Sequence, residues 1–200
     1  MKVEYDEIHR AGLVLQLDCP DLAFTRHRIG AESLEDFRRF VRLHVEAIDH
    51  GTRDIPPEAL RMHVCWGNDA GPHHRDVAQR AIVDIVLGAR PAAVSFEAAN
   101  PAPRPRVDRL RGRDAADGKV LVPGVLDTTT NSFEHPELVA QRIRRYAGLV
   151  GRESVIASSD WGFASFAASA AVDPQIVWTK LRAMAEGAAL ASRALVGPGP

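Results

Sequence analysis

KVLVPGVLDTTTNSFEHPELVAQRI, Lys119 to Ile143, holds one complete strand, loop and helix. Its opening run, Lys119 to Asp127, is aliphatic and β-branched and ends on a carboxylate, as expected for a strand covered on both faces. Pro123-Gly124 interrupts that run and predicts a kink or bulge, because Pro lacks a ladder donor and Gly has no side chain to pack. The helix is expected to start at Pro136, whose fixed φ suits the first helical position, and to continue through Leu138, Ile143 and Tyr146.

The same unit recurs on either side. Upstream lie LVLQLD (Leu13 to Asp18), RMHVCW (Arg61 to Trp66) and AAVSFE (Ala92 to Glu97). Between the first two, Ser33 is positioned to cap a helix with Asp36 three residues on. Leu34, Phe37, Val41, Val45 and Ile48 then recur at helical spacing as far as His50-Gly51. A second helix is expected around Arg75 to Leu87, and a Pro- and Arg-rich loop from Asn100 to about Gly118. Downstream, SVIASSD (Ser154 to Asp160) predicts a fifth strand. A closing helix follows, from the cap Asp173 and Pro174 to about Leu195, and VGPGP is expected to fray.

Alternating strands and helices of this kind predict an α/β fold with about five parallel strands and outer helices. A complete (β/α)8 barrel typically takes about 250 residues, with compact examples near 200. Five strands therefore describe either an open sheet or a partial TIM (β/α)8 barrel, its C-terminal part, with the first three strands absent or on another polypeptide. The expected division is 1–195 for this barrel portion and 196–200 for the tail.

Composition narrows the function. With 25 Lys and Arg against 26 Asp and Glu, no charge excess calls for nucleic acid. Two cysteines, Cys19 and Cys65, are too few for a disulfide framework, and the start MKVEYDEIHR carries no apolar signal segment. No apolar run approaches the roughly 20 residues of a membrane-spanning helix. The expectation is a cytoplasmic protein with reduced thiols and no membrane or nucleic-acid partner.

Polar groups fall where the strands end, which is where barrel enzymes carry their chemistry. Asp18 closes the first strand, His63 and Cys65 the second, Glu97 the third, Asp127 the fourth and Asp160 the fifth. Polar residues also cap ordinary loops, so position alone assigns nothing. His63-x-Cys65 says more, since residues two apart on a strand project to one side and present an imidazole and a thiol together. Zinc takes both, and a carboxylate from the next strand, Glu97, is a suitable third ligand. In isolation such a pair more often means a hydrogen-bonded core histidine beside a small buried cysteine.

The wider sequence shifts that balance. LQLDCPDLA (Leu15 to Ala23), HVCWGN (His63 to Asn68), SFEAANP (Ser95 to Pro101), VPGVLDTTTNSFEHPELVAQRI (Val122 to Ile143) and SSDWGF (Ser159 to Phe163) resemble, in order and spacing, the C-terminal barrel of cobalamin-independent methionine synthases. The resemblance is greatest to the shorter relatives of those enzymes and spans nearly the whole chain. It implies one zinc ion held by His63, Cys65 and Glu97, catalytic roles for Asp18 and Asp127, and substrate binding by Asp18 and Trp161. Asp18 matches the aspartate that holds the amino-acid substrate's ammonium group.

Two positions depart from the family pattern. Trp161 stands where a second cysteine ligand belongs, and Thr129 where a histidine assists methyl transfer. Cys19, Asp160 and the His73-His74 pair are conceivable substitute ligands, although Cys19 follows Asp18 directly and should face the other way. Trp161 would stack on a flat substrate or fill the vacant ligand place, or else pack beneath the last loop, with Trp66 and Phe163 completing an aromatic rim. Arg104, Arg106, Arg109, Arg111 and Arg113 would meet a polyanionic tail, or simply line a solvated loop. His135 reads as part of a helix entry.

The function implied is transfer of a methyl group from a methyltetrahydrofolate-like donor to a zinc-activated thiol such as homocysteine. The alternative is a non-catalytic or incomplete half-barrel, completed by a partner chain or a second copy. Trp161 and Thr129 are the residues that separate the two.

Overall fold

The computed structural model describes residues 1–27, 33–68, 76–99, 118–164 and 172–196. Five parallel strands form a sheet in the order β1 (Leu15–Cys19), β2 (Leu60–Val64), β3 (Ala93–Phe96), β4 (Val120–Leu126) and β5 (Ser158–Ser159). Each strand neighbours the next in sequence, without the reversal that marks a doubly wound sheet. That sequential order is the one a (β/α) barrel uses. The α/β expectation is met. No helix among the described residues is long and apolar enough to cross a membrane.

The helices are α1 (Lys2–Arg10), α2 (Leu34–Gly51), α3 (Val83–Gly88), α4 (Pro136–Val150) and α5 (Pro174–Val196). Sequence reading passed over α1, which buries none of its residues. Lys2 instead ties it down, with Nζ 2.7 Å from both Asp6 and Asp54. The chain divides into two compact units. Among the described residues the first comprises 1–27, 33–67, 76–95 and 118–120, and the second 68, 96–99, 121–164 and 172–196.

In the first unit β1 and β2 pair in parallel register, from Leu15 opposite Leu60 to Cys19 opposite Val64. Leu15, Leu17 and Cys19 are buried and alternate with exposed Gln16 and Asp18, while Leu60, Met62 and Val64 are buried on β2. Residues opposite one another project to the same face, so Gln16 with Arg61, and Asp18 with His63, share the face away from the aliphatic one. Arg61 donates to the Gln16 side-chain oxygen at 3.3 Å, the first rung of this polar ladder.

Helix α2 forms as its cap predicts: Ser33 Oγ accepts the Asp36 N–H at 3.0 Å, and Phe37, Val41 and Val45 make the buried stripe. Arg38 then forks onto Asp84 of α3, at 3.0 and 2.7 Å. The single helix expected over 75–87 is instead a 3-10 turn, Gln79–Ala81, followed by the short α3. Ala78 is extended with ψ 132°, and Ile82 leaves helical geometry with φ −130°, which divides the segment.

In the second unit, the ladder between β4 and β5 shifts register between Gly124 and Leu126, the irregularity foreshadowed by Pro123-Gly124. β5 shrinks to Ser158–Ser159, with Val155 adding only an isolated bridge to Leu121. Val125, Leu126, Val139, Ala140, Ile143 and Ala191 form a core in which each large aliphatic contributes about 1.5–3 kcal/mol by burial. Helices α4 and α5 meet closely at Gly187, where a Cβ would lie 2.5 Å from that of Val139.

His135 caps α4, its Nδ1 accepting the Glu137 N–H at 3.2 Å. Asp173 caps α5 in the same way, accepting from Gln175 N at 2.8 Å. Val196 is the last helical residue, so 197–200 of the expected tail lie outside the described residues. The same holds for His73, His74 and the arginine-rich stretch from Arg104 to Arg113.

Candidate metal centre

His63 sits one residue before the end of β2, and Cys65 just beyond it. Extended backbone points both to one side, and the pairing of β1 with β2 sets Asp18 directly opposite His63. The result is a group in which one ligand atom from each of Asp18, His63 and Cys65 lies within 4.8 Å of the others. All three belong to the first unit.

Neighbouring groups hold these side chains in place. His63 Nδ1 and the Ser95 hydroxyl share a hydrogen bond of 3.1 Å, which fixes the ring plane. With Nδ1 so held, Nε2 is the ring atom a metal would take, the arrangement usual for ligating histidines. Burial pushes the His63 pKa down to about 4, so the ring is neutral at physiological pH. Cys65 Sγ accepts the Gly67 N–H at 3.2 Å, a contact that favours a thiolate. That contact depends on a turn: Gly67 has φ 109° and Asn68 φ 44°, both in the left-handed region. Trp66 is anchored through Nε1 to the Val77 carbonyl at 2.9 Å.

Asp18 differs from the other two in being open to solvent. Its carboxyl is partly desolvated all the same, and this, followed by the charge of Asp21, raises its pKa. Among the described residues it makes no ion pair with Lys, Arg or His. Cys19, its neighbour, faces the aliphatic side, where burial first and then the charges of Asp21 and Asp18 push its thiol pKa up. It is thereby unsuited to replace a ligand.

The donor set fits zinc. Nitrogen, sulfur and carboxylate oxygen are its usual ligands, at bonds of about 2.0–2.3 Å that put neighbouring donors roughly 3.5 Å apart. Side-chain rotations of about an ångström close separations of at most 4.8 Å to that spacing.

The remaining expected site residues lie in the second unit. Glu97 is buried just past β3. Asp127 is buried too, and its carboxylate accepts from Thr129 N at 2.8 Å, Thr129 Oγ1 at 2.7 Å and Thr130 Oγ1 at 3.1 Å. This is a turn-capping arrangement, and it gives Thr129 a definite partner. Trp161 is half-buried, and its carbonyl accepts from Ser159 Oγ at 2.8 Å. Asp160, fully buried, accepts from Ala98 N at 2.7 Å and Ala99 N at 2.9 Å, so its carboxylate shapes the loop after β3.

Sequence reasoning passed over Ser95, although it lies in a strand beside the His-x-Cys pair and precedes Glu97 by two residues. It also missed Glu134 and Lys180. No periodic signal marks a lysine that is fully buried, here with Nζ 3.1 Å from Glu134 Oε2.

The fold and the group at the strand ends define an α/β portion of a barrel with a candidate metal-binding cluster. Among solved structures it is similar to the B12-independent methionine synthase from Shewanella sp. W3-18-1 in complex with selenomethionine. The TM-score is 0.71 and the identity 17%, over 98% of this chain and 53% of that one. This likeness is one of fold, and the chain spans about half the length of the enzyme it matches. No family model matches the sequence, and no curated protein does.

Proposed function

We propose that residues 1–195 form part of a methionine synthase-type barrel that binds one zinc ion and methylates a thiol such as homocysteine, with a methyltetrahydrofolate-like donor. The observation that carries this reading is the convergence of His63 and Cys65 at the end of β2, with the Asp18 carboxylate beside them. His63 and Cys65 would hold the zinc, which would supply Lewis acidity that lowers the pKa of a substrate thiol. The chain's own residues supply the rest.

Ser95 fixes the His63 ring, and the Gly67 N–H steadies the Cys65 sulfur. Glu97 follows the family resemblance as the next-strand carboxylate ligand. Asp18 is assigned by the same resemblance to the substrate ammonium group, where its negative charge is complementary. Asp127 orders the loop of Thr129 and Thr130 beside the fourth strand. Trp161 offers a flat surface for substrate. A cytoplasmic setting suits both cysteines, which are free thiols.

A second reading is favoured by length, since the chain spans 53% of the similar enzyme. In that reading it is an incomplete barrel that turns over only with a partner chain or a second copy. The experiment is a methyl-transfer assay with the zinc-loaded chain, labelled methyltetrahydrofolate and homocysteine. Labelled methionine above the Cys65→Ser background supports the enzyme. A zinc-loaded, monomeric and inert chain supports the incomplete barrel.

A further inference from the structure

We infer that Asp18 is itself a protein ligand to the metal, so that the centre is an Asp18, His63 and Cys65 site carried on β1 and β2. This rests on the metal-binding reading of His63 and Cys65, and it moves Asp18 from the substrate's ammonium group to the ion, in the carboxylate place that the resemblance gives to Glu97.

Three observations support it. The pairing register makes Asp18 and His63 direct partners, so both side chains leave the sheet on one face at one level. Their donor atoms and the Cys65 sulfur lie within a single 4.8 Å group. Among the described residues, moreover, no Lys, Arg or His forms an ion pair with this carboxylate, whereas neighbouring Asp21 is paired with His44. A divalent cation would supply the countercharge that Asp18 lacks. One thiolate and one carboxylate balance the ion's two positive charges, with the imidazole neutral, which suits three protein ligands and one exchangeable position.

Solvent exposure makes the assignment testable, because replacing Asp18 leaves the buried aliphatic face of β1 intact. The metal-free chain is titrated with cobalt(II), and then zinc is competed against a chromophoric chelator, for the wild type, Asp18→Asn, Asp18→Cys and Cys65→Ser. Circular dichroism of each variant establishes folding. Asp18→Asn is expected to keep the sulfur-to-cobalt charge-transfer band, change the visible ligand-field bands, and weaken zinc binding by on the order of 100-fold or more, beyond the usual loss for an outer-shell partner. Asp18→Cys is expected to bind zinc at least as tightly as the wild type and to intensify the charge-transfer band.

A residue that only contacted substrate would leave the cobalt spectrum unchanged when no substrate is present. Wild-type spectrum and affinity in Asp18→Asn, alongside lost binding in Cys65→Ser, would overturn this assignment and leave the metal reading of His63 and Cys65 standing. Equal binding by the wild type and Cys65→Ser would overturn both.

Discussion

Gly124 and Asp160 occupy what would otherwise be a single space: a Cβ on Gly124 would fall 1.9 Å from Asp160 Oδ1 and 2.7 Å from its Cα. The missing side chain lets the carboxylate reach the Ala98 and Ala99 N–H groups from the end of β5. The shift of register at Gly124 is thus tied to how the loop after β3 is held.

Gly124→Ala is expected to destabilise the chain by about 1–3 kcal/mol, because Asp160 cannot move aside without losing its bonds. Asp160→Ala is expected to cost a similar amount by leaving two buried N–H groups unsatisfied. The two losses should be partly non-additive, since removing the Asp160 carboxylate relieves one clash but leaves the Asp160 Cα and N 2.7 and 2.8 Å from a methyl group on residue 124. Urea unfolding of both single variants and the double variant measures the coupling, and simple additivity would contradict the shared-space account.

Lys180 and Glu134 form a buried ionic pair, with Nζ 3.1 Å from Oε2. Lys180 Nζ also donates to the Ser132 carbonyl, and Glu134 Oε1 accepts the Asp127 N–H at 2.7 Å. Lys180→Met strands the carboxylate and should cost about 3–5 kcal/mol, reduced somewhat by Arg142, whose Nη1 lies 3.6 Å from Glu134. Adding Glu134→Gln should recover part of that loss. Thermal unfolding midpoints decide, and a double variant less stable than Lys180→Met would contradict the pairing.

The cap of α2 offers a test by pH. The Ser33 hydroxyl, and after it Arg39, hold the Asp36 carboxyl below its usual pKa. A lowered folded-state pKa adds stability above the unfolded-state value and loses it as pH falls through the folded one. Ser33→Ala is expected to destabilise the protein by about 1 kcal/mol through the lost cap. NMR titration should also show the Asp36 pKa rising toward its ordinary value, and an unchanged pKa would contradict the role given to Ser33.

Much of this was legible in the sequence because it rests on local rules. Ser33, Pro136 and Asp173 mark helix starts through backbone chemistry that any such residue obeys, and the aliphatic runs Leu13 to Asp18 and Arg61 to Trp66 mark strands. His63 and Cys65 were legible as a pair because two residues along a strand share a side. What sequence could not supply was register. Asp18 joins the metal group only because β1 pairs with β2 at that level, a long-range fact with no local signature. The buried roles of Asp160 and Lys180 were hidden for the same reason, and α1 offers no buried residue to read.

Zinc content of the purified, untagged chain, measured by elemental analysis after dialysis against a weak chelator, tests the metal centre most directly. The account predicts close to one zinc per folded chain, lost in Cys65→Ser. A folded wild-type sample that retains no zinc, or a Cys65→Ser variant that retains as much as the wild type, would contradict it.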